Sequence, residues 1–281
     1  MTSLIGNAPV DGVDVAALLG IPISAEQERA VQAPLKPCAV IAGAGTGKTT
    51  VMAARVVWLV ASRLVSPEEI LGLTFTNKAT AELSERIESN LTRVGLLTSE
   101  QPRPTVATYD SFAGTLVNDY GAWDGISTGA HLITGARAYQ LAAEVVMGLD
   151  KAPLAATHMG PTFIAQAVVK LAGAMASHDA SPGKVRRADA RWRQMLLAAP
   201  TKRRGDRYAD IDKWLSRVDE REELLDLVAA YQNLKKERGL VEFGDRMVQA
   251  LHLVTHHPRV GEELRARYRV VLLDEYQDTS S

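Results

Sequence analysis

A glycine-rich segment followed by lysine and threonine restricts this chain more than any other feature. The segment reads Ala42-Gly43-Ala44-Gly45-Thr46-Gly47-Lys48-Thr49. Glycines let backbone N–H groups turn toward phosphate oxygens, lysine can span the β- and γ-phosphates, and threonine can hold Mg²⁺. The segment completes the phosphate-loop pattern G-x-x-x-x-G-K-[ST], except that Ala42 stands where the pattern begins with glycine. We predict that a Mg-nucleotide binds Ala44, Gly45, Thr46, Gly47, Lys48 and Thr49.

The flanking sequence supports this interpretation. Cys38-Ala39-Val40-Ile41 is a short apolar run that predicts a buried strand. Residues 49–61 contain neither glycine nor proline, and their apolar residues repeat at helical spacing. A strand, a glycine loop and a helix would place the phosphates at a helix N-terminus. The alternative is a Gly/Ala-rich turn between two core elements, which leaves the lysine–threonine pair without a packing role.

A pair of carboxylates follows a second apolar run near the end of the chain. Val270-Val271-Leu272-Leu273 predicts a buried strand, and Asp274-Glu275 comes directly after it. Ligands bind at the carboxyl ends of strands in open α/β sheets. We expect Asp274 to hold Mg²⁺ through water and Glu275 to act as general base toward the attacking water. Without the phosphate loop, such a pair would more often be solvated surface charge.

Composition limits the class of protein. The chain has 281 residues, of which 46% are hydrophobic, and its net charge is −1. Any nucleic-acid contact must therefore be local rather than a property of the whole molecule. The single cysteine, Cys38, excludes an internal disulfide and a cysteine-based zinc site, and we expect it to be buried. No apolar run has the roughly 18 residues of a membrane span and no secretory signal is evident, so we expect a cytoplasmic protein with no membrane partner.

The order of predicted elements indicates an α/β fold with a helical insertion. Ser24 and Gln27 have the spacing of a capping box at the start of a short helix. Strands at 70–74 and 105–108 alternate with a helix at 77–91, which predicts a parallel sheet. Residues 113–238 contain no convincing strand, and we predict helices there at 137–149, 161–176, 182–199 and 217–238. Residues 239–281 return to the pattern of the first part. We therefore predict an α/β domain in residues 1–112 and 239–281, with an all-helical subdomain inserted at 113–238. His252 and His256 have metal-ligand spacing, but we expect them to be structural because no third ligand is evident.

Several motifs, in order along the chain, resemble those of UvrD/Rep-like superfamily 1 DNA helicases. The resemblance covers residues 22–281 and is densest at the motifs. The matching segments are Ile23–Gln27 (Q motif), Ala42–Thr49 (P-loop), Thr74–Ala79 (motif Ia), Thr108–Phe112, Gly239–Phe243 and Asp274–Thr279 (motif II). Family members commonly begin the P-loop with alanine, which accounts for Ala42. The family's first motor domain is RecA-like and carries a helical insertion.

The resemblance implies roles for further residues. Gln27 would read the adenine edge, Thr50 would lie beside the adenine, and Gln277 would sense the γ-phosphate as a catalytic residue beside Lys48 and Glu275. Metal binding would fall to Thr49 and Asp274. Single-stranded DNA would contact the motif Ia region. The expected DNA-binding residues are Phe75, Thr76, Asn77 and Tyr109.

Residue chemistry gives independent support for the DNA site. Phe75 and Tyr109 are aromatic residues at predicted loop positions, where bases can stack. Thr76 and Asn77 could donate to phosphates at a helix start. Taken alone, Phe75 would more simply pack at the sheet edge. Two positions depart from the family pattern, because Asp110 stands where histidine is frequent and Thr50 where arginine is frequent.

The resemblance also implies partners outside this sequence. The family's second motor domain and its arginine fingers have no counterpart here, so we expect an N-terminal fragment of a 3′–5′ helicase that acts on single-stranded DNA or duplex ends in repair or recombination. Alone, it should bind ATP and Mg²⁺ weakly and hydrolyse near background. The sequence also resembles actinobacterial helicase–nuclease motor subunits. This narrower resemblance implies a partner subunit. The alternatives are a non-catalytic DNA- or partner-binding module, or a P-loop ATPase with another client.

Overall fold

Two compact units make up the chain. The computed structural model describes residues 12–43, 45–127, 129–153, 158–202 and 206–278. One unit comprises residues up to Thr115 and from Val254 onward, and the other spans residues 116–253. The described elements are α1 Val15–Leu19, α2 Ala25–Val31, α3 Lys48–Ala61, β1 Ile70–Thr74, α4 Asn77–Arg93, β2 Thr105–Thr108, α5 Tyr109–Tyr120, β3 His131–Leu132, α6 Gly135–Met147, α7 Pro161–Ser177, α8 Pro182–Leu197, α9 Ala209–Glu237, β4 Leu240–Val241, α10 Phe243–His256, α11 Pro258–Arg267 and β5 Val270–Leu273.

A parallel sheet of order β2-β1-β5 forms the centre of the first unit. β1 pairs with β2 from Leu71↔Thr105 onward and with β5 from Ile70↔Val270 onward. All five residues of β1 are buried, as expected for a middle strand covered on both faces. The prediction of an α/β protein with a parallel sheet is confirmed. The register brings the carboxyl ends of β1 and β5 to one edge, where Thr74 ends β1 and Asp274 follows β5.

Helices α3 and α4 supply most of the core against this sheet. α3 begins after Gly47, whose φ of 83° is a left-handed conformation that glycine adopts without steric cost. Its apolar residues are buried on several sides, and α4 adds Leu83, Ile87 and Leu91 at spacings of four. The predicted helix at 49–61 is therefore confirmed, with Lys48 as its first residue. The start of α3 is anchored by this packing.

The predicted strand at Cys38–Ile41 was wrong. These residues form no strand, and Val40 and Ile41 are 51% and 97% exposed. Cys38 is exposed as well, which corrects the expectation of a buried thiol. An apolar run becomes a strand only when a neighbouring strand satisfies its N–H and C=O groups. Within the described residues the central sheet ends at β5 and β2, and neither pairs with this segment.

The exposure of Cys38 gives a direct test of this difference. We expect a maleimide to label the native protein with a stoichiometry of one per chain, because the chain has a single cysteine and its side chain is exposed. The labelling rate should approach that of the urea-unfolded protein, and Cys38→Ser should not react. Strong protection in the native state would show that residues 38–41 pair as a buried strand after all.

The second unit is built mainly from α6, α7 and α9. Leu141, Ile164 and Leu225 are among its fully buried side chains, one from each helix. The 29-residue α9 is amphipathic only in part, with buried residues concentrated in its C-terminal half. Helices predicted at 137–149, 161–176 and 182–199 match α6, α7 and α8 within a few residues. α9 begins at Ala209, eight positions before the predicted start at Arg217.

A two-residue parallel ladder closes the second unit. β3 pairs with β4 through His131↔Leu240 and Leu132↔Val241. The expectation that residues 113–238 contain no strand was therefore wrong, because two residues are too few to give a periodic signal. The pairing holds residues 240–241 in the helical unit, which extends to Leu253, beyond the predicted return at 239. No helix in the described part of the chain is both long and apolar enough to cross a membrane.

Candidate nucleotide and DNA site

The phosphate loop has the backbone that its glycines predict. Gly45 and Gly47 have φ of 76° and 83°, both in the left-handed region. Thr46 Oγ1 donates to Gly43 O at 2.8 Å, and Lys48 Nζ donates to Ala42 O at 3.3 Å. Lys48 thus lies back along the loop, and within the described residues its ammonium makes this one hydrogen bond. Ala44, also predicted to bind nucleotide, lies outside the described residues.

Gln27 contacts the loop from the neighbouring helix α2. Its Nε2 donates to Thr46 O at 3.1 Å, and a Cβ built on Gly47 would lie 3.4 Å from the same nitrogen. The predicted capping box is confirmed, because Ser24 Oγ accepts from Gln27 N while Gln27 Oε1 accepts from Ser24 N. The fold therefore holds the amide of Gln27 beside the loop. Its reading of adenine stays a prediction.

Arg55 joins α2 to the phosphate-loop helix. Its Nη1 donates to the carbonyls of Val31 and Ala33 at 2.8 Å each, and to Ala30 at 3.3 Å. Burial lowers the pKa of this guanidinium below its usual value. Because Arg55 satisfies carbonyls at the end of α2, it positions the helix that carries Gln27. The sequence signal was an arginine within an otherwise apolar helix, and it was missed.

Thr50 receives a hydrogen bond from a helix on its other side. Arg86 Nη1, on α4, donates to Thr50 Oγ1 at 2.8 Å. A guanidinium is therefore present next to position 50 although the chain has threonine there. No local pattern identifies Arg86, because it lies 36 residues along the chain and the contact depends on the packing of α4 against α3.

The carboxylates of motif II lie where β5 ends. Asp274 N donates to Leu73 O at 2.8 Å, which continues the sheet by one residue, and Glu275 N donates to Asp274 Oδ1 at 3.1 Å. Glu275 has φ of 49°, a left-handed conformation that costs a non-glycine residue about 1–3 kcal/mol. Gln277 Nε2 donates to the Glu275 carboxylate. The predicted base and γ-phosphate sensor are thus in contact, whereas Thr279 lies outside the described residues.

The two halves of the predicted nucleotide site make no direct polar contact in the described residues. Within the described ranges, no hydrogen bond or ion pair joins Lys48 or Thr49 to Asp274 or Glu275. The hydroxyl of Thr49 and the carboxylate of Asp274 are the oxygen donors that Mg²⁺ prefers, and Mg²⁺ usually keeps several waters besides. The donor chemistry fits the predicted metal ligands.

Motif Ia presents polar and aromatic groups after β1. Phe75 is 57% exposed, so it does not pack fully at the sheet edge. Thr76 is the N-cap of α4, with Oγ1 accepting from Ala79 N at 3.1 Å, and Asn77 is the exposed first residue of that helix. Below them, buried Thr74 is hydrogen-bonded through its hydroxyl to Thr80. The arrangement leaves Phe75, Thr76 and Asn77 accessible to a ligand.

Tyr109 is placed differently from the prediction. It begins α5 rather than lying in a loop, and it packs beside Leu71, Leu73 and Tyr268. Its hydroxyl donates to Asp274 O at 3.0 Å. Burial, followed by the charge of Asp274, raises the pKa of Tyr109 to about 12. Tyr109 therefore links the start of α5 to motif II, and stacking of a base on its ring stays a prediction.

The raised pKa of Tyr109 makes stability sensitive to alkaline pH. The free phenol ionises near pH 10, but folded Tyr109 keeps its proton to about pH 12. The free energy of unfolding should fall as pH rises through this window, because the unfolded state releases its proton first. We expect a shallower fall for Tyr109→Phe, measured by urea unfolding, and loss of one late tyrosinate in an ultraviolet absorbance titration. Identical pH slopes for the two proteins would contradict this part-buried hydrogen bond.

Comparisons with known proteins agree with the motif order. Residues 23–281 match the UvrD/REP helicase N-terminal domain. The chain is 25% identical over 258 residues to a probable DNA helicase II homolog of Rickettsia felis, covering 92% of this chain and 34% of that protein. It is 27% identical over 263 residues to the ATP-dependent DNA helicase UvrD1 of Mycobacterium leprae, with coverages of 92% and 29%. It is 28% identical over 269 residues to DNA helicase II of Haemophilus influenzae, with coverages of 95% and 32%. The chain spans about a third of the length of these relatives.

Proposed function

Because the chain belongs to the UvrD/REP helicase N-terminal domain family, we propose that it is the ATP-binding part of a DNA helicase or translocase. The observation that carries the proposal is the phosphate loop, in which left-handed Gly45 and Gly47 precede Lys48 and the amide of Gln27 contacts the loop backbone. Such a loop turns N–H groups toward a phosphate at the start of α3. The relatives named above are DNA helicases, which supports DNA as the substrate.

We assign the binding of ATP to the loop and to the helices beside it. Lys48 would leave Ala42 O and contact the β- and γ-phosphates, and Thr49 would hold Mg²⁺ together with Asp274. When bound, Mg²⁺ would neutralise charge on the phosphates. Gln27 would recognise the base, and Thr50 would meet it beside the guanidinium of Arg86. Arg55 would keep α2 in place during binding.

Hydrolysis would depend on motif II. Glu275 would accept a proton from the attacking water, and its left-handed backbone would aim the carboxylate away from the strand direction. Gln277, which already contacts Glu275, would sense the γ-phosphate and link hydrolysis to the binding of DNA. Phe75 would stack on a base, and Thr76 and Asn77 would contact the DNA backbone. Tyr109 would connect the DNA-binding residues to the metal ligand Asp274, because its hydroxyl donates to Asp274 O.

The proposal includes a second motor domain from a longer protein. A helicase closes two motor domains on ATP, and arginine fingers can contribute about 10³–10⁵ in rate. We infer that residues 1–281 alone bind ATP weakly and hydrolyse it near background, and that the longer protein moves 3′ to 5′ in DNA repair or recombination. A helicase–nuclease partner subunit is part of the same proposal. The second candidate is a non-catalytic DNA- or partner-binding module, for which the observation is that Lys48 Nζ donates to Ala42 O.

ATPase rates would test these candidates. The rate is measured with and without single-stranded DNA, on residues 1–281 and on a longer protein that contains them. We expect turnover only in the longer protein, with acceleration by DNA and loss in Glu275→Gln. DNA-stimulated turnover by residues 1–281 alone would overturn the divided-motor proposal. If the longer protein binds DNA but neither hydrolyses ATP nor responds to Glu275→Gln, the non-catalytic module is correct.

A further inference from the structure

Positive charge is concentrated in one segment of the helical unit. Residues 184–217 contain eleven lysines and arginines against four aspartates, whereas the rest of the chain has twenty-one cations and twenty-nine carboxylates. A chain with a net charge of −1 therefore carries a local excess of seven positive charges within 34 residues. Clustered positive charge is a feature of polyanion-binding surfaces, and carboxylates of α9 outside the segment neutralise the part of it that comes from Arg186 and Arg193. A solvated helix face would more often mix both signs.

The inner face of α8 uses its charges for packing against α9. Arg186 donates to the carboxylates of Glu222 and Asp226 at 2.6 Å each. Buried Asp189 accepts two hydrogen bonds from Arg221, at 2.7 and 2.9 Å. Arg193 forms a further ion pair with Asp219. These pairs fix the rotation of α8, and they direct the opposite face of the helix toward solvent.

The outer face of α8 carries three exposed cations. Lys184, Arg187 and Arg191 follow at helical spacings of three and four, and all three are exposed. Lys184 contacts Asp179, but across the described part of the chain no carboxylate forms an ion pair with Arg187 or Arg191. At 1.5 Å per residue, the three cations form a stripe about 10 Å long. This length covers several phosphates of a nucleic-acid strand.

Exposed aromatic rings accompany the stripe. Trp192 lies on its flank at 57% exposure, with Met195 beside it on the helix at 67%. Tyr208 and Trp214, in the same basic segment, are 50% and 52% exposed. Lys202 lies over the ring of Tyr208 at 5.6 Å, and Arg217 over that of Trp214 at 5.0 Å. Large exposed rings between cations are the combination with which proteins hold unpaired bases and their phosphates.

We propose that this basic aromatic surface, defined by Lys184, Arg187, Arg191 and Trp192 on α8, binds single-stranded nucleic acid. Arg187 and Arg191 contact phosphates, and Trp192 stacks on a base. The surface lies within the helical unit, whereas Phe75, Thr76 and Asn77 belong to the first unit. It extends the proposed function by a second strand-binding site, and it requires no nucleotide hydrolysis.

Fluorescence anisotropy of labelled oligo(dT) would test the proposal on the 281-residue protein. Arg187→Glu/Arg191→Glu should weaken binding about tenfold or more at roughly 50 mM salt. The slope of log K against log salt should become shallower by about 1.4, because two phosphate contacts on a single strand are lost. Trp192→Ala should weaken binding about tenfold with an unchanged slope. The matched control is Arg137→Glu/Lys170→Glu, which makes the same charge change at exposed positions of the same unit and should stay within about twofold.

The outcomes separate this inference from the proposed function. If Phe75→Ala weakens oligo(dT) binding but Arg187→Glu/Arg191→Glu does not, the surface on α8 is not a binding site and the motor proposal stands. Equal weakening by the control pair would show general charge attraction and would overturn the inference. Tighter binding of a duplex of equal length through the same arginines would overturn the single-strand assignment. No binding of oligo(dT) by the unmodified protein would contradict both proposals. Circular dichroism confirms that each variant is folded.

Discussion

Lys235→Ala is expected to lower the free energy of unfolding of the helical unit by about 3 kcal/mol. Lys235 is 2% exposed, and its Nζ donates to the carboxylates of Glu242 and Asp245 at 2.6 Å each. Tyr231 adds a hydrogen bond to Glu242 at 2.7 Å, and its ring lies 4.7 Å from the Lys235 ammonium. Burial and the Glu242 carboxylate raise the pKa of Tyr231. Removal of the lysine leaves two carboxylates without their cation, and their partial exposure keeps the loss at the lower end of the range for buried pairs.

Urea unfolding followed by circular dichroism measures this effect, and Lys236 offers a matched control. It is the next residue on α9, but it is exposed, so Lys236→Ala should change stability by less than about 0.5 kcal/mol. A triple variant, Lys235→Met with Glu242→Gln and Asp245→Asn, should recover part of the loss because no uncompensated charge remains. A Lys235→Ala loss below about 1 kcal/mol would show that the cluster is effectively solvated.

Lys48→Ala is expected to weaken ATP binding by roughly 100-fold, or about 3 kcal/mol. In the proposed complex the ammonium contacts two phosphates, and hydrogen bonds to charged groups contribute more than neutral ones. In the structure the only hydrogen bond of Lys48 Nζ in the described residues is the 3.3 Å contact with Ala42 O. Its removal should therefore have little effect on folding. Titration of a fluorescent ATP analogue with Mg²⁺ measures the affinity.

Lys36→Ala provides the control for this substitution. Lys36 is an exposed lysine in the segment that leads to the phosphate loop, so the variant removes one positive charge from the same region. Its ATP affinity should stay within about twofold of the unmodified protein. If Lys48→Ala binds ATP as tightly as Lys36→Ala does, the loop does not hold phosphates and the nucleotide site lies elsewhere.

Local patterns predicted the bounds of several elements to within two residues. β1 and β2 have the predicted bounds, and α4 and α7 differ from prediction only at their last residues. The capping box at Ser24 and Gln27 was also readable, because its two hydrogen bonds span three residues. In each case the periodic apolar pattern and the end signals agree, so tertiary packing had nothing to override.

Contacts between distant segments account for what the sequence did not predict. Cys38–Ile41 has strand composition, but pairing partners decide whether a strand forms, and composition does not supply them. Arg55 and Arg86 support the candidate site through hydrogen bonds across 22 and 36 residues. Tyr109 reaches Asp274 across 165 residues. The motifs identified the candidate catalytic and binding residues. The residues that position them could be identified only from contacts in the folded structure.

The pairing of β1 with β5 also has a consequence for how the protein folds during synthesis. β1 is complete at Thr74, but its partner begins at Val270, so roughly 200 residues must be made between them. At about 5–20 residues per second, β1 waits on the order of 10–40 s for β5. The helical unit, which lies between them in sequence, can form from local contacts in that interval. One edge of an apolar strand therefore stays open on the ribosome, and this is the stage at which we expect a chaperone to protect the nascent chain.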